Sequence, residues 1–208
     1  MKILFIASEC APVAKVGGLA DVIGSLPKAL KKLGIDVSVA IPYYQSLNIT
    51  EKKSLIRKDL SVIFNGKHES FELWQTYLPP CKDDSSTCVP LYLIKNDDIF
   101  GQTIYLEKDA SPSRNLKEAS RFLFLSSAGN KISEALGIDI LHCHDWHTAI
   151  IPFLGKKRSS KTKNILTIHN LEYQGVYQSN FINQLLGTDF SGDVNCLKTG
   201  ILNTDFIT

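Results

Sequence analysis

Three clusters of polar residues carry the side chains in this sequence that are best suited to chemistry. The first contains Lys15, Gly17, Gly18 and Asp21, and it opens a helix-like pattern. A helix N-terminus offers unpaired N–H groups and a partial positive charge, and adjacent glycines let amides approach an anion closely. The cluster therefore indicates a phosphate or diphosphate site. A glycine turn for tight strand–helix packing is the alternative, because the spacing matches neither established phosphate-loop pattern.

The second cluster is the sequence HCHDWH at residues 142–147, which ends one strand-like run and enters a helix. Asp145 is suited either to cap that helix or to accept hydrogen bonds from sugar hydroxyl groups. Trp146 is suited to stack on a sugar or to pack in the core, and we favour core packing.

The third cluster is TIHNLEYQG at residues 167–175. His169 is predicted to emerge at the end of a strand. Asn170, Tyr173 and Gln174 supply the amide and hydroxyl groups that carbohydrate recognition uses. Ligands of open α/β sheets bind beyond the carboxyl ends of the strands, so we expect all three clusters to meet at one edge of the sheet.

Four histidines in these clusters raise the question of a zinc site: His142, His144, His147 and His169. On a strand, His142 and His144 share a face, but His147 falls on the next element. No H-E-x-x-H or similar ligand spacing is present. We therefore predict no metal site.

The elements that must position these clusters follow from apolar periodicity. Runs that are apolar throughout or nearly so are typical of parallel strands covered on both faces, and they lie at residues 3–7, 37–41, 89–94, 138–141 and 165–168. Helical patterns lie at residues 19–33, 115–136 and 145–155. Pro27 cannot donate to the Ile23 carbonyl, so a kink or break is predicted there. This alternation predicts an α/β fold, a Rossmann-like doubly wound and mostly parallel sheet.

Three segments depart from that alternation. Asn65 and Gly66 tolerate positive φ and lie between strand-like runs, so residues 61–74 are predicted to form an inserted β-hairpin. Residues 79–87 are polar and rich in turn formers, which indicates a loop. Residues 205–208 resemble the beginning of another strand.

Composition limits the classes of partner and compartment. Of 208 residues, 44% are apolar, and 23 Lys and Arg nearly balance 21 Asp and Glu. This balance favours neither nucleic acid nor an anionic membrane as a partner. Five scattered cysteines favour a reduced, cytoplasmic chain, with a Cys81–Cys88 disulfide as the alternative.

The three clusters together resemble the glycogen synthase and starch synthase family of bacteria and plants. The family patterns K-x-G-G-L-x-D, H-x-H-D-W-H and T-[IV]-H-N-L-x-Y-Q-G match residues 15–21, 142–147 and 167–175. Ser8-Glu9 and Pro12 also look like the family, whereas residues 45–115 match less clearly.

This resemblance implies a GT-B architecture, in which two Rossmann-like domains face a cleft. It implies transfer of glucose from ADP-glucose to the non-reducing end of an α-1,4-glucan, with retention and without a required metal or other cofactor. It also implies a cytoplasmic enzyme, or a plastid enzyme if the source is a plant.

Residue roles carry over from the matched motifs. Asp145 and His169 are implied to line the donor glucose pocket as catalytic residues, with Asp21 at the cleft edge near the acceptor. Substrate-binding roles are implied for Lys15, Gly17, Gly18, Asn170, Tyr173 and Gln174.

From this resemblance we expect residues 1–208 to correspond to one incomplete N-terminal domain, without the second Rossmann-like domain of the family. We therefore expect the isolated chain to be inactive. Two alternatives stay open: a GT-B glycosyltransferase of other donor or acceptor specificity, and a non-catalytic module that binds glucan or nucleotide.

Overall fold

A computed structural model describes residues 1–47, 49, 52–81, 88–106 and 112–208, with only the backbone described at 112–114. Its strands are β1 (Lys2–Ile6), β2 (Asp36–Pro42), β3 (Ser54–Phe64), β4 (Lys67–Tyr77), β5 (Pro90–Lys95), β6 (Ile140–His144), β7 (Lys163–Thr167), β8 (Val176–Gln178), β9 (Asp193–Asn195) and β10 (Phe206–Ile207). Its helices are α1 (Gly18–Lys32), α2 (Asp97–Phe100), α3 (Pro112–Leu136), α4 (Asp145–Thr148), α5 (Ile151–Lys157), α6 (Ser179–Leu186) and α7 (Cys196–Asn203).

The central sheet has the order β10-β7-β6-β1-β2-β5-β4-β3. From β10 to β5 every neighbouring pair is parallel. The chain winds outward from β1 in both directions, so the strand order reverses between β1 and β6. This is the doubly wound, Rossmann-like arrangement that the sequence predicts, and its reversal point is where such sheets bind ligands.

The predicted hairpin is confirmed, and it is longer than expected. β3 and β4 pair antiparallel and turn through Asn65 and Gly66, whose φ angles are 51° and 69°. β4 also pairs antiparallel with β5. The hairpin therefore extends the main sheet as its antiparallel edge.

Two apolar cores cover the two faces of the sheet. On one face, Phe5 and Val39 pack with Leu19 and Ile23 of α1. On the other face, Leu4 and Ile6 pack in a cluster that includes Phe122 and Leu125 of α3. Burial on both faces explains why the parallel strands read as continuous apolar runs.

The helices differ from the sequence prediction in two places. The sequence predicts a kink or a break at Pro27; α1 runs through this buried proline, so the break is wrong. The single helix predicted for residues 145–155 is two short helices, α4 and α5. Pro152 explains the division, because it has no N–H to donate to the Thr148 carbonyl.

The cysteine expectation needs a correction. Cys81 and Cys88 form a disulfide, the pairing that the sequence left as the alternative to a fully reduced chain. The predicted loop at residues 79–87 lies largely outside the described residues. Cys10, Cys143 and Cys196 are free thiols in the core. Within the described ranges, no helix combines the length and apolar character needed to cross a bilayer.

Candidate active site

The three polar clusters converge on one cleft beyond the carboxyl ends of β1, β6 and β7. The cleft has a volume of about 750 Å³. It is lined by Glu9, Val16, Gly17, Gly18, Leu19, Tyr105, Leu106, Glu118, Asp145, Trp146, His147, His169, Asn170 and Tyr173. Six of the nine predicted site residues therefore share one cavity, next to the point where the strand order reverses.

A buried carboxylate holds the glycine loop in place. Glu9, only 3% exposed, accepts hydrogen bonds from the backbone N–H groups of Val16 (2.6 Å) and Gly17 (2.7 Å). The Tyr105 hydroxyl donates to its other oxygen at 2.6 Å. Two amides of the loop are thus occupied by Glu9, which leaves Gly18 and the first turn of α1 as the amides that face the cleft.

Lys15 and Asp21 form an ion pair beside the glycine loop. Lys15 Nζ lies 2.6 Å from Asp21 Oδ1, and both side chains are at least half exposed. Neither residue lines the cleft itself. Exposed ion pairs are weak, so Lys15 can exchange this partner for another anion at little cost.

Asp145 connects the second and third clusters. It is 6% exposed and has a φ of 53°, in the left-handed region. Its Oδ1 accepts from the backbone N–H groups of His169 (2.6 Å) and Asn170 (3.2 Å). The carboxylate does not cap α4, which is one of the two roles that the sequence left open for Asp145. Burial raises the pKa of Asp145, and the two backbone hydrogen bonds oppose this rise.

His169 belongs to a column of imidazole rings. Its Nε2 lies 3.1 Å from Nδ1 of His144, and the ring centroids are 5.3 Å apart, so the two rings meet edge to edge through these nitrogens. His144 stacks in turn on His142, whose Nε2 lies 2.7 Å from the Thr167 hydroxyl. Burial lowers the pKa of His142 to about 4, with a smaller contribution from His169.

Asn170, Tyr173 and Gln174 have different surroundings. Asn170 lines the cleft, and its Oδ1 accepts from the Glu172 N–H at 2.7 Å. Tyr173 lines the cleft with 48% of its surface exposed. Gln174 does not line the cleft; its side chain donates to the Leu171 carbonyl and accepts from Asn195. Gln174 therefore ties the loop after β7 to β9.

Several cleft residues were not singled out as site residues from the sequence. Glu118 accepts from the backbone N–H of Leu106 at 2.7 Å. His147 is enclosed by the rings of Phe122 and Trp146, and burial lowers its pKa to about 3. The position of Glu9 directly after β1 was a usable signal, because an acid there lies at the binding edge of the sheet.

Trp146 packs in the core as favoured from the sequence, since it is 9% exposed and meets Phe122 edge to face. No group of three or more His, Cys, Asp or Glu side chains is placed to hold a metal ion among the described residues. His144 instead contacts His142 and His169, His142 contacts Thr167, and His147 packs against Phe122 and Trp146.

A family model, the starch synthase catalytic domain, matches residues 2–208. The chain belongs to this family. Glycogen synthase 2 of Geobacter metallireducens is 38% identical over all of this chain, and the glycogen synthase of Bacillus subtilis is 34% identical over all of it. The matches cover 45% and 44% of those two proteins, so the chain spans less than half the length of the curated relatives it matches.

A solved starch synthase has the same fold. The catalytic domain of starch synthase IV from Arabidopsis thaliana, bound to ADP and acarbose, matches with a TM-score of 0.82 and 26% identity. The match covers 99% of this chain and 44% of that one. The chain is thus a Rossmann-like, N-terminal GT-B domain of the starch synthase family.

Proposed function

We propose that this chain forms the N-terminal half of the active site of a retaining glucosyltransferase. The enzyme transfers glucose from ADP-glucose to the non-reducing end of an α-1,4-glucan. The observation that carries the proposal is the convergence of Gly18, Asp145 and His169 on one cleft at the reversal point of the sheet.

Charge around the cleft suits the breaking of a bond between glucose and diphosphate. The glucosyl group gains positive, oxocarbenium-like character, and the diphosphate gains negative charge. Lys15 and the N-terminus of α1 lie on one side and stabilise the leaving group. Asp145 supplies a carboxylate on the sugar side, where it orients the ring and offsets its positive character.

The backbone contacts of Asp145 fix the direction of its carboxylate. Oδ1 already accepts two backbone hydrogen bonds from His169 and Asn170, in the segment after β7. Oδ2 makes no hydrogen bond within the described part of the chain, so it is the oxygen that accepts from a sugar hydroxyl. The backbone N–H of His169 donates to the Asp145 carboxylate, so the two residues line the donor pocket at fixed positions relative to each other.

The remaining predicted residues fall into less central roles. Asn170 and Tyr173 line the outer part of the cleft and bind hydroxyl groups of donor or acceptor. Asp21 lies at the edge, where it orients Lys15 in the free chain and contacts the acceptor when Lys15 turns to the diphosphate. Gln174 supports the loop that carries these residues.

A chimera tests the proposal. This chain replaces the segment that it matches in the Geobacter metallireducens glycogen synthase, and the product is assayed for glucan elongation with ADP-glucose. We expect activity from the chimera and none from the 208-residue chain alone. An inactive but folded chimera would count against the enzyme function. If the isolated chain bound maltooligosaccharide independently of Lys15 and His169, a glucan-binding module would be favoured instead.

Substitutions in the active chimera test the assigned residues. Asp145→Asn keeps an acceptor for the backbone amides of His169 and Asn170 but removes the charge, and we expect kcat to fall about 100-fold. His68→Ala, an exposed change on β4, is the control and should leave kcat unchanged. Equal activity of Asp145→Asn and the control would remove Asp145 from the donor pocket. Assaying both ADP-glucose and UDP-glucose identifies the donor.

A further inference from the structure

His144 lies next to His169 but does not line the cleft. It is 0% exposed, whereas His169 lines the cleft and is exposed. His144 Nδ1 is 3.1 Å from His169 Nε2, a distance at which an N–H of one ring donates a hydrogen bond to the nitrogen of the other. The two rings are therefore coupled, so the proton position of one determines that of the other.

The surroundings of His144 hold its ring in one orientation. Its ring packs against Phe5, with centroids 5.5 Å apart, and against His142, with centroids 4.4 Å apart, and these two rings also contact each other. Its backbone N–H and C=O both bond to the Thr148 hydroxyl, at 2.6 and 2.9 Å. The Nδ1 atom is thereby fixed toward His169.

The protonation state of His144 follows from its burial. Desolvation lowers its pKa well below 6.5, and His142 and His169 lower it further. The ring is therefore neutral and carries one N–H. Its Nε2 is buried and has no hydrogen-bond partner among the described residues.

The buried Nε2 atom of His144, which has no hydrogen-bond partner among the described residues, indicates which tautomer of His144 is present. A proton on Nε2 of His144 would leave a buried N–H without an acceptor, and such orphan donors are rarer than unsatisfied acceptors. A proton on Nδ1 instead donates to Nε2 of His169. His169 Nε2 is then an acceptor, so the neutral His169 ring carries its own proton on Nδ1.

We infer that His144 is a positioning residue that holds His169 in the Nδ1–H tautomer and presents that N–H to the cleft. His169 Nδ1 makes no hydrogen bond within the described part of the chain, so it is available to a ligand. The step to a substrate rests on the proposed function: the Nδ1–H donates to a hydroxyl oxygen of the donor glucose. His169 thus supplies a hydrogen-bond donor beside the Asp145 carboxylate, which supplies a hydrogen-bond acceptor.

Nitrogen-15 NMR of the histidine rings tests the tautomer in the 208-residue chain, without any substrate. We expect Nε2 of His169 to give the pyridine-type signal and Nδ1 to carry the proton in the neutral ring. The opposite assignment in the unmodified chain would overturn the inference, and no variant is needed to reach that result.

Three variants separate positioning from packing. His144→Phe keeps a ring in the stack but has no donor, so His169 should shift toward the Nε2–H tautomer. His144→Asn places an amide donor near the lost Nδ1 and should restore much of the Nδ1–H form. His142→Phe is the matched control on the same strand, and it should leave the His169 tautomer unchanged. An unchanged tautomer in a folded His144→Phe variant would contradict the inference.

Kinetic measurements on the chimera test whether the His169 Nδ1–H contributes to the reaction with ADP-glucose. Losing one oriented donor should lower kcat/KM for ADP-glucose about tenfold in His144→Phe, with most of it recovered in His144→Asn. If the NMR result holds but the chimera transfers no glucose, the proposed function fails while the tautomer assignment stands. If the chimera is active and the NMR result is reversed, only this inference fails.

Discussion

At the scale of single residues, the Glu9 carboxylate joins segments that line the cleft. One carboxylate accepts two backbone amides of the glycine loop and the hydroxyl of Tyr105, which is nearly 100 residues away in sequence. Hydrogen bonds to a charged, buried group are stronger than neutral ones. The shape of the anion-facing loop therefore depends on an acid that lies outside it.

Replacing Glu9 by alanine should destabilise the chain. We expect the free energy of unfolding to fall by about 3 kcal/mol, because charge-assisted hydrogen bonds are lost and the Tyr105 hydroxyl loses its stronger partner. Urea denaturation followed by circular dichroism measures the change. Tyr105→Phe removes only one of the three contacts and should cost about 1 kcal/mol. A Glu9→Ala variant as stable as the unmodified chain would mean that the loop does not depend on this carboxylate.

The sequence was sufficient to place Gly17, Gly18, Asp145 and His169 at one edge of the sheet, because each follows a strand that could be recognised from its apolar run. Sequence could not identify the partners of these residues. The link from Glu9 to Tyr105 joins two distant segments, and no local pattern encodes it. The ring contact between His144 and His169 likewise depends on the register of β6 against β7.

At the scale of elements, the close approach of α1 to the segment after β1 fixes the glycine loop. A Cβ atom at Gly24 would lie 2.4 Å from the carbonyl oxygen of Ala11. The Ala11 amide also donates to the carbonyl of Ala20 in α1. The helix can reach this position only because residue 24 has no side chain.

Gly24→Ala should therefore destabilise the chain although alanine favours helices. Its methyl group meets backbone rather than a flexible side chain, so the helix must shift, and we expect a loss of about 2 kcal/mol. Thermal or urea unfolding measures it. Gly18→Ala adds a methyl group to the same helix in open space and should cause no loss. Equal stability of the two variants would contradict the close packing of α1.

The parallel strands could be predicted because burial on both faces leaves an unmistakable apolar run. The effects of proline could not be predicted from its presence alone. Pro27 is tolerated inside α1, where the helix is packed against the core. Pro152 coincides with a division between α4 and α5. Tertiary packing decides between these outcomes, and a single sequence does not show it.

At the scale of the whole molecule, three histidines near the cleft couple stability to pH: His142 and His144 are buried, and His147 is partly buried. His142, His144 and His147 all have pKa values lowered by burial. Asp145 acts in the opposite direction, because its raised pKa lets the folded chain take up a proton more readily than the unfolded chain. Three histidines outweigh one aspartate, so the net change of stability with pH should follow the histidines.

Acid should therefore unfold this chain. A histidine whose folded pKa is lowered from 6.5 to about 4 or about 3 binds its proton mainly when unfolded, so its stabilisation is complete above pH 6.5 and is lost as pH falls. We expect a loss of about 1 kcal/mol per histidine between about pH 7 and about pH 5.5. Urea denaturation across this range measures it. His147→Phe should remove about a third of the pH dependence, whereas His68→Phe, on the exposed surface of β4, should preserve it. A flat stability profile in the unmodified chain would mean that His142, His144 and His147 are hydrated or already charged in the folded state.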